Sequence, residues 1–90
     1  LPTYIVCYTV HGDDRRCAAL AQKLNDYPAR WRLQETVWAV STLRSAEQLH
    51  DEFSRDLESE GPLFIARLAR DSAWSGYTHG VSRWLNKNLQ

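Results

Sequence analysis

Residues 4–10, Tyr-Ile-Val-Cys-Tyr-Thr-Val, are β-branched or aromatic almost throughout and carry no charge. That is the composition of a strand in the interior of a sheet with both faces covered. One face presents Tyr4, Val6, Tyr8 and Val10, the other Ile5, Cys7 and Thr9. A chain of 90 residues holding such a strand near its start must wrap the rest of its length around it, as one domain over residues 1–90.

The remaining elements follow from periodicity and punctuation. His11-Gly12-Asp13-Asp14 breaks the strand, and either Asp can cap a helix. Cys17, Leu20, Ala21, Leu24 and Tyr27 then recur at helical spacing until Pro28. Residues 31–42 are too long and mixed for one strand. They read as two, 31–34 and 37–41, joined by a tight turn or bulge near Glu35 and Thr36. Ser45-Ala46-Glu47-Gln48 is a capping box, opening a helix that buries Ala46, Leu49, Phe53 and Leu57. An acidic turn over residues 58–62 leads to a strand over 63–69, with Leu63, Ile65 and Arg67 on one face and Phe64, Ala66 and Leu68 on the other. A third helix is expected over 75–89, with Tyr77, Val81, Trp84, Leu85 and Leu89 as its apolar stripe and Gly80 as an unfavourable interior residue.

The order strand, helix, strand, strand, helix, strand, helix predicts an α+β fold, a ferredoxin-like βαββαβ sandwich with an extra C-terminal helix. Two helices cover one sheet face. Ile5, Cys7, Leu63 and Ile65 are expected on the other, where the third helix, a second copy of the chain, or both must shield them. Trp31, Trp38, Trp74 and Trp84 suit anchors of a twofold contact or of the core.

Composition narrows the chemistry. Eleven basic and eleven acidic residues cancel, so there is no long-range field for coating duplex nucleic acid. Nine of the eleven basic residues are Arg, suited to salt bridges with the acids or to a local phosphate patch. Cys7 and Cys17 lack metal-type spacing, and each lies on an apolar face rather than beside a base. His11 with Asp13 and Asp14 is the one cluster with acid/base or metal potential. His50 and His79 have no partner at ligand spacing. The glycines form no phosphate loop, so no nucleotide cofactor is expected. Arg70, Trp74 and Arg83 could gather around an unpaired base, or Trp74 could instead staple the third helix. No apolar run reaches membrane-span length and no leader pattern precedes the first strand, so a cytoplasmic protein is expected.

The order of elements, with Tyr4-Ile5-Val6-Cys7-Tyr8-Thr9-Val10-His11, Leu33-Gln34-Glu35-Thr36-Val37-Trp38-Ala39-Val40, Leu63-Phe64-Ile65-Ala66-Arg67-Leu68 and Ala73-Trp74-Ser75-Gly76, resembles SinR-like proteins. These are relatives of the VapD toxins and of the small CRISPR-adaptation ribonuclease subunit. The resemblance implies a homodimer packed through its sheets, and the uncovered face read above puts Ile5, Cys7, Thr9, Leu63, Ile65 and Trp31 at the expected contact. It also implies a catalytic Asp at the end of the first strand, as ligand for a divalent metal that supports phosphodiester cleavage. Thr9 stands at that position here. A neutral hydroxyl does not replace a carboxylate as a hard ligand for Mg²⁺. The expectation is therefore a non-catalytic homodimeric interaction or regulatory module with no cofactor. The alternatives are a metal-dependent ribonuclease using Asp13 or Asp14, with His11 nearby and Mg²⁺ as its cofactor, or a single-stranded RNA binder. A protein partner or RNA is expected accordingly.

Overall fold

The computed structural model describes residues 1–9, 15–57 and 61–89. It is an α+β fold with a four-stranded antiparallel sheet and three helices among those residues. The elements are β1 (Thr3–Tyr8), α1 (Arg15–Asn25), β2 (Arg30–Gln34), β3 (Val37–Ser41), α2 (Ala46–Leu57), β4 (Leu63–Arg67) and α3 (His79–Asn88). The sheet order is β2-β3-β1-β4, so the uncharged first strand lies inside, as its composition requires.

One core forms between the sheet and the pair α1 and α2. Tyr4, Val6 and Tyr8 of β1, with Trp38 and Val40 of β3, meet Leu20 and Leu24 of α1 and Leu49, Phe53 and Leu57 of α2. The polar tips of the large aromatics find each other in this layer, the Trp38 indole N–H donating to the Tyr8 hydroxyl at 3.2 Å. The capping box forms as read: the Gln48 amide N–H donates to Ser45 Oγ at 3.1 Å, and the Ser45 N–H donates to Gln48 Oε1 at 2.9 Å.

At the rim of this core Tyr27 packs edge-on against Phe53, 6.0 Å between centroids, and its hydroxyl donates to Glu52 Oε1 at 2.8 Å. Arg44 reaches the same oxygen at 2.7 Å. Burial first, and then the bond to the Glu52 carboxylate, push the Tyr27 hydroxyl up to about 12. In the unfolded chain a tyrosine ionises near pH 10. Between about pH 10 and 12 the unfolded state loses a proton that the folded state keeps, so this contribution to stability is complete below pH 10 and lost as pH rises. Denaturant titrations in that window should show stability falling with pH, less steeply in Tyr27→Phe; equal slopes for the two proteins would contradict it.

A second, smaller core lies on the opposite sheet face. Ala39 of β3 and Val81, Leu85 and Leu89 of the third-helix segment are buried there, with Trp31, Leu33, Leu68, Trp74, Tyr77 and Trp84 packed around them. Helix α3 begins at His79, four residues later than the start expected at residue 75. Gly76 takes φ +82, which breaks the helical path, and Thr78 caps the helix by accepting from the Val81 amide at 3.4 Å. Gly80 has a steric reason. A Cβ there would stand 3.2 Å from the Trp31 ring, which lies against this turn and packs on Trp84 at 6.5 Å. Helix α3 is also tied down by a buried polar pair: Thr3 Oγ1 lies 2.6 Å from Ser41 Oγ and donates to the Asn88 carbonyl at 2.8 Å.

Other differences from the sequence reading are small. Strand β4 ends at Arg67 rather than residue 69, and α1 ends at Asn25, ahead of Pro28. The turn after β2 is at Glu35 and Thr36, with a register shift between Arg32 and Gln34. Val10, the segment 11–14, residues 58–60 of the acidic turn and Gln90 lie outside the described residues. None of the described helices is long and apolar enough to cross a membrane.

Candidate interaction surface

Directly opposed residues of an antiparallel pair share a sheet face, so the register assigns every side chain. Cys7 opposes Val37 on one side and Phe64 on the other, and Ile5 opposes Ala39 and Ala66. Two apolar rows therefore cross the face away from α1 and α2. Along them, cover falls from β3 to β4: Ala39 is 0% exposed under α3, Ile5, Cys7, Val37 and Ala66 are half-buried, and Phe64 is 65% exposed. Helix α3 and the segment leading to it shield the β2 and β3 side. Between them and the sheet is a cleft of about 400 Å³, lined chiefly by Ile5, Leu33, Val37, Leu68, Trp74 and Tyr77.

The same register corrects the expected membership of this face. Val6 opposes Ile65, and Tyr8 opposes Leu63. Leu63 and Ile65 consequently pack against the core under α1 and α2, not beside Ile5 and Cys7. Trp31 is on the expected face but is taken by the chain's own α3, between Gly80 and Trp84. Phe64 and Ala66 occupy the open positions. The alternation of residues 63–68 already separated them from Leu63 and Ile65, but strand parity alone does not say which set faces the helices.

Cys7 is half-buried on the open face, and burial pushes its thiol up, which lowers its thiolate fraction and so its reactivity near neutral pH. Thr9 is exposed just past the end of β1, and its carbonyl accepts a long contact from Cys17 Sγ at 3.8 Å. His11, Asp13 and Asp14 lie outside the described residues. Among the described residues, no group of three or more His, Cys, Asp or Glu side chains gathers as a metal site. Trp74 is half-buried in the second core and its indole N–H donates to Ser82 Oγ at 2.9 Å, so it packs onto α3 as a staple would. Arg70 and Arg83 are exposed.

A four-stranded antiparallel sheet with two helices on one face and a partial cover on the other defines a small α+β domain with an incompletely shielded sheet. No protein-family model matches the chain, and no curated protein matches it.

Proposed function

We propose that this chain is a non-catalytic interaction or regulatory module: a homodimer of ferredoxin-like domains, related to the SinR-like proteins and descended from a nuclease fold. The succession of the first six elements, and a sheet with β1 and β3 innermost, support the ferredoxin-like assignment. The observation that carries the dimer is the apolar row from Val37 through Cys7 to Phe64, which α3 stops short of covering. Apolar area left open beside a packed core marks a contact surface, and an isologous contact lets one Phe64 and its twofold mate shield each other's rows. Thr9 at the end of β1 supports the loss of metal-dependent cleavage, since its hydroxyl brings no charge to a divalent ion. A cytoplasmic toxin and antitoxin pair, or phage defence, is the setting such a module fits.

Sedimentation from low to high micromolar concentration should show a monomer-dimer equilibrium. Phe64→Glu should weaken it by about 100-fold, the effect of charging a central aromatic anchor. Because Phe64 is 65% exposed in the single chain, the variant should keep its circular dichroism and melting temperature. In a Cys17→Ser background, Cys7 should label more slowly as protein concentration rises. A strictly monomeric protein would remove the dimer. RNA cleavage that requires Mg²⁺ and disappears in Asp13→Ala or Asp14→Ala would replace this reading with the ribonuclease.

A further inference from the structure

The far edge of the sheet carries a different surface. Strand β2 is an edge strand, and its side facing α1 presents Arg30 and Arg32, because these oppose Val40 and Trp38 of the helix-side core. Between them and α1 runs an open groove of about 670 Å³, walled by Gln22 and Asn25 and floored by Trp38. It continues into a second depression that shares Ala21 and Arg32 and ends at Glu35 and Thr36. Asn25 Oδ1 accepts from Arg30 Nη2 at 3.1 Å, and the Glu35 carbonyl accepts from Arg32 Nε at 3.0 Å and Nη2 at 2.7 Å. Among the described residues, most N–H groups of the two guanidinium forks have no further partner. Among the described residues the carboxylates of Glu52 and Asp56 pair with Arg44 and Lys23, and none pairs with Arg30 or Arg32. Asp26, next to Asn25 in sequence, lines a separate depression with Tyr27 and Glu52. In a chain of zero net charge, this groove has two fixed cations on its main wall.

We propose that β2 and its groove dock an acidic, extended segment of a partner protein, with carboxylates at alternate positions paired to Arg30 and Arg32. The spacing selects that geometry: the two arginines are two residues apart, about 6.6 Å along a strand, which is also the repeat of same-side residues in an extended peptide. An edge strand offers such a peptide backbone donors and acceptors on its outer side. The charges set the choice of partner. A second β2 would bring arginines against arginines, whereas an acidic strand brings each a carboxylate. The groove suits an RNA strand less well, because Trp38 is 3% exposed with the Arg32 guanidinium 5.1 Å above its ring, leaving no open face there for a base to stack on.

This deepens the reading of the chain as an interaction module, but it uses the sheet edge opposite Phe64. It is therefore tested on both the native chain and Phe64→Glu, so that loss of self-association and loss of peptide binding are read separately. The probe is a short fluorescein-labelled peptide alternating glutamate with threonine, followed by anisotropy. Comparators are a peptide of the same composition with its glutamates in one block, a lysine-for-glutamate peptide, and a uridine oligonucleotide of equal charge. The alternating peptide should bind best, and binding should weaken with salt and drop about fivefold in Arg30→Gln, the scale of one exposed ion pair. The double reversal Arg30→Glu with Arg32→Glu should exchange preference to the lysine peptide. Since Arg32 braces the turn after β2, Arg30→Glu alone serves where the double variant melts early. Equal binding of the block peptide, tighter binding of the oligonucleotide, or absence of saturable binding by the folded protein would each overturn the proposal.

Discussion

Phe53→Ala is expected to destabilise the domain by about 4 kcal/mol, the usual cost of emptying a fully buried aromatic site. Phe53 is 0% exposed and stands where α2 meets the sheet core, and its ring also supports Tyr27 just beyond the end of α1. No neighbouring side chain can collapse fully into the space, because the surrounding Leu20, Leu24 and Leu49 are themselves completely buried. A domain of this size has about 5 to 13 kcal/mol of stability in total. Urea titration should therefore show a sharply lower midpoint with little change in slope. A loss under about 1.5 kcal/mol would mean that the core relaxes around the gap, contrary to the packing described.

Thr3→Val should cost about 2 kcal/mol although it conserves shape, because it strips a hydroxyl from a buried polar cluster. Thr3 is 2% exposed and Ser41 3%, so water is poorly placed to satisfy the Asn88 carbonyl and Ser41 hydroxyl left behind. Ser41 keeps only the long contact to Asn88 Oδ1 at 3.5 Å. The damage should be local to α3. Its amides should exchange with deuterium faster than those of α2, and the exposed second face should bind more of an apolar dye. Uniform acceleration across both helices would place the role of Thr3 in the sheet instead.

Much of the architecture was legible because local chemistry and tertiary demand agreed. The uncharged run in β1 placed it inside the sheet, and Val37–Ser41 and the Ser45 and Gln48 box began and ended elements where the structure has them. Helix α3 is expected from residue 75 because Tyr77 does pack with its stripe, but Tyr77 does so from the segment before the helix, which Gly76 and Thr78 terminate. The face of β4 was misassigned for a more basic reason. Leu63, Ile65 and Phe64 are all apolar, so hydrophobicity at either parity is satisfied, and only pairing with Val6 and Cys7 decides between them. The groove beside Arg30 and Arg32 escaped sequence reading because it needs α1 placed next to β2, a relation no local periodicity contains.

The hydroxyl of Thr3 meeting the carbonyl of Asn88 joins residues 85 positions apart. Closing so large a loop is repaid only once the strands between are in place, so this latch is expected to form late in folding. Helix α3 is thus expected to be released as a unit while the sheet and its other two helices persist. Each release would lay bare Ala39 and Leu33 alongside the surface Phe64 already shows, coupling the lifetime of that shield to how much of the sheet a partner can reach.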